Sequence, residues 1–172
     1  MTNKNSVRIR KTVITALCVA LCIVLPMAFH MVKNAGTIFL PMHIPVLICG
    51  FACGGVYGAA VGFIAPFLRN LMFSMPPILT AVAMAVEMAV YGLVAGLLYK
   101  KLKKTVLNLY LSLVAAMLLG RIAWGIARFV IAGLAGTEFS FAMFLSGAFV
   151  QAVPGIICHI VLVPLVVLAL KK

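Results

Sequence analysis

Long apolar runs, broken by short polar and basic segments, constrain this chain more than any other feature of its sequence. Of its 172 residues, 66% are hydrophobic and only 9% are charged, which is more apolar surface than a soluble domain of this size could bury. A lipid bilayer must therefore be the solvent. At about 20 apolar residues per helical span, the length predicts an all-α integral membrane protein of roughly six transmembrane helices, in a single domain covering residues 1–172.

The positions of glycine and proline divide the apolar runs into these six spans. The stretch 38–71 is too long for one span and is interrupted at Gly54 and Gly55, so it predicts two helices joined by a turn. The last run is longer than a bilayer needs, which predicts tilt or a bend at Pro154. The predicted spans are residues 13–29, the two halves of 38–71, 78–99, 106–132 and 141–170.

Basic residues gather at three places, all at the ends of predicted spans. The net charge of +12 therefore indicates membrane topology and not nucleic-acid binding, which needs a solvated basic face. Six spans place all three clusters and both termini on the cytoplasmic side, as the positive-inside rule expects, whereas five spans would place the middle cluster outside. We expect a multi-pass protein of the cell membrane. The clusters are Lys4, Arg8, Arg10 and Lys11, then Lys100, Lys101, Lys103 and Lys104, then Lys171 and Lys172.

Two ionisable residues fall in the middle of predicted spans, where charge is costly and usually faces the protein interior. With a rise of about 1.5 Å per residue, Glu87 lies roughly half-way along the fourth span and Arg121 lies at a similar depth in the fifth. The two side chains could neutralise each other. The pattern leaves two roles open, an ion pair that locks two helices together or a direct part in ligand binding.

One face of the fifth predicted helix carries Arg121, Trp124 and Arg128, at spacings of three and four residues. Arginine suits carboxylate or phosphate groups, and tryptophan offers a plane for stacking. This face is therefore a candidate binding wall. The alternative for Arg128 is that its side chain reaches the outer lipid headgroups.

Further polar residues are expected in the outer half of the membrane, near the predicted outward loops 30–37, 70–77 and 133–140. Arg69 and Asn70 end the third span, His43 lies at the outer end of the second, and Gln151 enters this half from the sixth. Each alone is typical of a rim residue. Their shared depth predicts an outward-facing pocket for a partly anionic ligand.

Catalysis has no positive support in the sequence. We find no pair of nucleophile and base, no Gly-rich phosphate loop and no metal cluster, so neither an enzyme nor a cofactor is predicted. Met42 to Pro45 resembles the start of nickel and cobalt uptake proteins, but there the motif is N-terminal and here it is internal, so no metal site is predicted. Two other interpretations stay open: a structural or assembly membrane protein without a ligand, and an intramembrane enzyme, for which His159 has no evident partner.

Small residues are spaced four apart in two helices. Ala16 and Ala20 share one face of the first predicted helix, and glycines recur at every fourth position from Gly50 to Gly62. Such spacing permits close approach of helices in lipid. The glycines are expected to serve internal packing and the turn at Gly54.

Six spans, cytoplasmic ends, the pair Ala16 and Ala20, and the stretch 40–98 together resemble the substrate-binding S components of energy-coupling factor (ECF) transporters, over nearly the whole chain. In that family the alanine pair packs on the transmembrane coupling subunit. The resemblance implies capture of a vitamin or related micronutrient outside the cell, followed by toppling of the S component in a complex with the coupling subunit and two ATPase subunits. ATP hydrolysis would then belong to those partners.

The substrate is less defined than the family, because S components share a fold while their pockets differ. Several arginines with few acidic residues favour a ligand that carries a carboxylate or another anion. Pantothenate is the first candidate within the family, folate or another heterocyclic vitamin is the next, and riboflavin stays open.

Overall fold

The computed structural model describes residues 4–28 and 38–170, and these residues form helices and short turns with no strand. Helix boundaries agree with the sequence prediction best at the split near Gly54 and at the starts of the two central spans. The elements are α1 (Lys4–Ala28), α2 (His43–Cys53), α3 (Gly55–Phe73), α4 (Ile78–Lys101), α5 (Val106–Ala135), α6 (Phe141–Leu145), a π-helical turn (Ser146–Val150) and α7 (Val153–Ala169).

Four of these helices, α1, α3, α4 and α5, are long and apolar enough to cross a membrane, and the bent pair before and after the π-helical turn makes five among the described residues. Helix α2 has 11 residues, well short of the roughly 20 that a span needs. The all-α membrane bundle is thereby confirmed. The six spans and the cytoplasmic termini stay predictions, and both the predicted loop 30–37 and the last basic cluster belong to the part of the chain that is not described.

Large apolar side chains cover the outer surface of the bundle. Leu17, Leu71, Leu119 and Leu165, from four different helices, are all exposed. A soluble protein avoids contiguous apolar surface of this kind. The surface is that of a protein whose solvent is lipid.

Helix α1 begins earlier than the apolar run that predicted it. It starts at Lys4, nine residues before the predicted span, so its first turns carry the basic cluster. The hydroxyl of Thr12 donates a hydrogen bond to the carbonyl of Arg8 at 3.1 Å, within the helix. Lysine and arginine are good helix formers and no proline or glycine interrupts this segment, so the helix continues past the apolar boundary.

The short helix α2 lies at the centre, against α1, α3, α4 and α7. Glycines let the backbones approach closely: a Cβ added to Gly50 would lie 2.6 Å from the carbonyl oxygen of Gly92, and one added to Gly58 would lie 2.7 Å from the Cα of Gly50. Gly54 has φ 108°, a conformation that only glycine adopts easily, so the chain turns there from α2 into α3. This packing places the first residue of α2, His43, deep in the bundle.

The predicted sixth span is not one continuous helix. A π-helical turn precedes α7, and in it the amide of Gln151 donates to the carbonyl of Ser146 at 2.9 Å. The segment Phe141–Val150, which includes this turn, meets α7 at a bend of 40°. A bend was expected at Pro154, and the break falls just before it. Proline lacks an amide donor and its ring disfavours helix in the preceding residue, which explains why the irregular turn ends there.

Candidate ligand-binding site

Three charged or titratable side chains meet inside the bundle, one each from α2, α4 and α5. The carboxylate of Glu87 lies 2.9 Å from Nη1 of Arg121 through Oε1, and 3.4 Å from Nε2 of His43 through Oε2. All three side chains are buried. We call His43, Glu87 and Arg121 the buried network. The ion pair expected from the depths of Glu87 and Arg121 is present, and a histidine joins it.

Two further residues border the buried network. The ring of Tyr91, one turn after Glu87 on α4, lies 5.2 Å from the ring of His43. His159 approaches from α7, with its ring 6.0 Å from that of His43 and its Nε2 3.3 Å from the carbonyl oxygen of Leu40. Four helices therefore contribute polar groups to one buried region.

A small residue on α5 makes this arrangement possible. A Cβ added to Gly120 would collide with the ring of Tyr91, so the glycine leaves the space in which Tyr91 packs against α5. The neighbouring residue, Arg121, then extends toward α4.

A cavity of about 210 Å³ adjoins Arg121 between α4, α5, the π-helical turn and α7. Arg121 and Tyr91 are among its lining residues, and the surface that the cavity exposes is apolar. Among the described residues, Nε and Nη2 of Arg121 have no hydrogen-bond partner, and the hydroxyl of Tyr91, which lies beside Glu87, makes no hydrogen bond of good geometry. The other walls are apolar, from Val114, Met117, Leu118, Phe149, Ile156 and Ile160.

Trp124 and Arg128, predicted on the same face as Arg121, lie further along α5 and contact the segment that follows it. The ring of Trp124 is 6.0 Å from Phe139 and 6.3 Å from Phe144, and the guanidinium of Arg128 lies 5.7 Å from the ring centre of Phe139. We call Trp124, Arg128, Phe139 and Phe144 the aromatic cluster. It reaches the cavity through Phe149, whose ring is 6.1 Å from that of Phe144.

The remaining polar residues of the predicted outer pocket do not line the cavity. Arg69 donates from Nη1 to the carbonyl of Ile23 at 3.0 Å, which ties α3 to α1. Asn70 donates to the carbonyl of Pro76 at 2.7 Å, across the turn between α3 and α4. The structure therefore holds both side chains in hydrogen bonds to backbone carbonyls instead of bringing them to the buried network.

Gln151 and His43 occupy environments that their sequence positions did not indicate. The exposed amide of Gln151 lies 3.3 Å from the hydroxyl of Ser146. His43, expected at the outer end of a span, is fully buried at the start of the short helix α2. The difference arises because α2 is half the length of a span and sits inside the bundle.

The alanine pair on α1 faces away from the protein interior. Ala16 and Ala20 are exposed, whereas Cys18, Cys22 and Pro26 form the buried face of the same helix. The exposed face has small side chains that another helix could approach closely.

Sequence reasoning missed Tyr91 and the position of His159. A signal for both was present: Tyr91 lies four residues after Glu87, hence on the same helix face, and His159 is an isolated polar residue in an apolar helix, which in membranes usually faces the protein interior.

Together, an apolar helical bundle, a buried charged network and an adjoining cavity define a membrane protein with an internal polar site. A family model described as the substrate-specific component of the ECF transporter matches residues 10–167, and the chain belongs to this family. It is a substrate-binding membrane subunit that works with the other components of an ECF transporter. Comparisons with curated proteins and with solved structures gave no match.

Proposed function

We propose that this subunit captures a small micronutrient through its carboxylate, which binds Arg121 in the cavity between α4, α5 and α7. The observation that carries the proposal is the state of the Arg121 side chain. It is buried, one of its nitrogens is paired with Glu87, and its Nε and Nη2 have no partner among the described residues. Buried polar groups are normally satisfied, so these two donors await an acceptor.

A carboxylate matches these donors in geometry and in charge. The guanidinium presents parallel N–H groups that bind the two oxygens of a carboxylate together. Glu87 balances the charge of Arg121, which reduces the cost of burying that cation. The same ion pair holds the guanidinium in a fixed position for the ligand.

The cavity also limits the body of the ligand. Its volume of about 210 Å³ is below the roughly 300–1,000 Å³ typical of sites for drug-sized molecules, and most of its wall is apolar. The volume supports pantothenate over the larger folate, and the proposed contact of a carboxylate with Arg121 supports it over riboflavin, which has no carboxylate. Pantothenate is therefore our proposed substrate.

The aromatic cluster is proposed as the outer approach to this cavity. Trp124 and Arg128 adjoin it through Phe144 and Phe149, so a ligand arriving from outside passes them before it reaches Arg121. Glu87 and His43 are proposed to hold and balance the charge of Arg121 on the side away from the ligand. Arg69, Asn70 and Gln151, through their hydrogen bonds to other parts of the protein, support the shape of the outer end.

Transport of the ligand is proposed to be powered by partner subunits, which dock on α1. The exposed pair Ala16 and Ala20 is the proposed contact with the transmembrane coupling subunit, and two ATPase subunits supply the energy for toppling of the loaded S component. Small residues support this role because they let two helix backbones approach closely in lipid.

The competing function is a structural membrane protein in which Glu87 and Arg121 only lock helices. It is favoured by the ion pair itself, since such pairs can be purely structural. It predicts that no small carboxylate binds.

The test is to purify the full chain in detergent, identify co-purifying small molecules by mass spectrometry, and titrate sodium pantothenate, folate and riboflavin by calorimetry. Tight binding of pantothenate with little binding of riboflavin is the expected result. Absence of binding for every carboxylate-bearing vitamin would contradict the proposal.

A further inference from the structure

We infer that the buried network is a proton-binding site linked to the ligand: each bound carboxylate is accompanied by uptake of one proton on His43. The inference rests on the proposed carboxylate site at Arg121. Its starting point is the charge balance of the network, which holds one carboxylate, Glu87, and one guanidinium, Arg121, 2.9 Å apart. With neutral histidines this group has no net formal charge.

A bound carboxylate changes that balance. On Nε and Nη2 of Arg121 it shares the single cation with Glu87, so two negative charges face one positive charge among buried side chains. Charges repel strongly at such short range when the surroundings are apolar. Uptake of one proton restores neutrality, as buried groups commonly do when a charge would otherwise stay unbalanced.

His43 is the residue placed to accept that proton. Its Nε2 lies 3.4 Å from Oε2 of Glu87, whereas Arg121 pairs with the other oxygen, Oε1, and the side chain of His43 is 1% exposed. Once protonated, His43 donates to Glu87. Its positive charge then balances Glu87, while the charge of Arg121 balances the ligand carboxylate.

The other titratable groups around His43 are less suited to the role. His159, from α7, has its Nε2 beside the carbonyl of Leu40, and no carboxylate of the described residues lies at hydrogen-bond distance from it. Tyr91 from α4 and Cys22 from α1, whose thiol donates to the carbonyl of Met42, can release a proton but are neutral when they hold one.

On α3, the titratable side chains are engaged elsewhere. Tyr57 lies under the ammonium of Lys11, and Arg69 donates to the carbonyl of Ile23. Neither reaches the buried network.

The proton balance fixes the sign of the pH dependence. The ligand is already an anion at neutral pH, because carboxyl groups ionise near pH 4, so the proton comes from bulk water. The complex then holds one proton more than the separate protein and ligand. Raising the pH therefore weakens binding, by up to about tenfold per pH unit.

The experiment is calorimetric titration of the full chain in detergent at about pH 7, in three buffers with different ionisation enthalpies. The probes are sodium pantothenate and, as a minimal apolar carboxylate, sodium hexanoate. The dependence of the heat on the buffer gives the number of protons taken up, and we expect a value close to one. Binding with no proton uptake overturns this inference alone, whereas no binding of either probe overturns the carboxylate site and the inference with it.

Two matched variants locate the proton. In His43→Gln, whose amide can still donate to Glu87, binding should become weaker, because no proton restores neutrality, and proton uptake by the complex that still forms should fall to near zero. In His159→Gln, which keeps a donor for Leu40, uptake should stay close to one. Uptake that survives in His43→Gln, or disappears in His159→Gln, overturns the assignment to His43. If His43→Gln does not fold, the buffer dependence of the native chain still decides whether a proton is taken up.

Discussion

The buried network and the aromatic cluster lie on the same stripe of α5, yet their arginines have different surroundings. Arg121 is buried and its charge is balanced by Glu87 at 2.9 Å, whereas Arg128 is half-buried with its guanidinium over the ring of Phe139. Seven residues separate them. The comparison teaches that position on a helix face does not decide what a membrane arginine does, because the partner supplied by the neighbouring helix decides it.

The largest effect on stability is expected from the acidic residue of the buried network, compared with the acidic residue next to the aromatic cluster. Glu87→Gln removes the balancing charge and leaves Arg121 buried without it, so we expect destabilisation of about 3–5 kcal/mol, measured as a lower midpoint of thermal unfolding in detergent. Glu138→Gln changes the other acidic residue of the chain, which is exposed beside Phe139. Equal midpoints for the two variants would show that the network is not a structural unit.

Binding should depend on the buried network even when its stability is restored. The double variant Glu87→Gln/Arg121→Gln removes both charges together, so it should unfold closer to the native midpoint than Glu87→Gln alone. It should bind sodium pantothenate about 30-fold more weakly or more, since truncating a buried charged partner costs roughly 2–5 kcal/mol. Calorimetric titration measures this. Native affinity in the double variant would move the ligand site away from Arg121.

Much of the fold and part of the candidate site could be predicted from the sequence. The helical bundle, the turn at Gly54 and the pairing of Glu87 with Arg121 follow from apolar runs, glycine conformation and equal depth in the bilayer. The role of His43 does not follow, because it depends on α2 being too short to span and on glycine contacts that draw it inside. The bond from Arg69 to the carbonyl of Ile23 is equally unpredictable, since it joins residues far apart in the chain.

Docking of the coupling subunit on α1 should be independent of the buried network and of the aromatic cluster. Replacing Ala16 and Ala20 with leucine fills the exposed face of α1 and should reduce uptake by the assembled transporter about tenfold or more, since bulky residues prevent close helix approach. Binding by the isolated chain should be unchanged, because these side chains point away from the cavity. Ala60→Leu, at an exposed alanine of α3, is the control for added bulk. Uptake that survives the double substitution would mean that the coupling contact lies elsewhere.

The smallest effect is expected in the aromatic cluster. Arg128→Gln removes a cation–π contact of about 0.5–1 kcal/mol, so affinity for pantothenate should fall only about two- to fivefold. If Arg128→Gln lost as much affinity for pantothenate as the double variant Glu87→Gln/Arg121→Gln, the ligand carboxylate would bind Arg128 instead of Arg121.

The most direct test of the central claim is the distance between the ligand carboxylate and the guanidinium of Arg121. Solid-state NMR with carboxyl-¹³C pantothenate and ¹⁵N-arginine protein measures that separation in membranes. A bidentate pair predicts a carbon–nitrogen distance of about 4 Å, present in the native chain and in Arg128→Lys but lost in Arg121→Lys. A signal lost in Arg128→Lys and kept in Arg121→Lys would contradict the account.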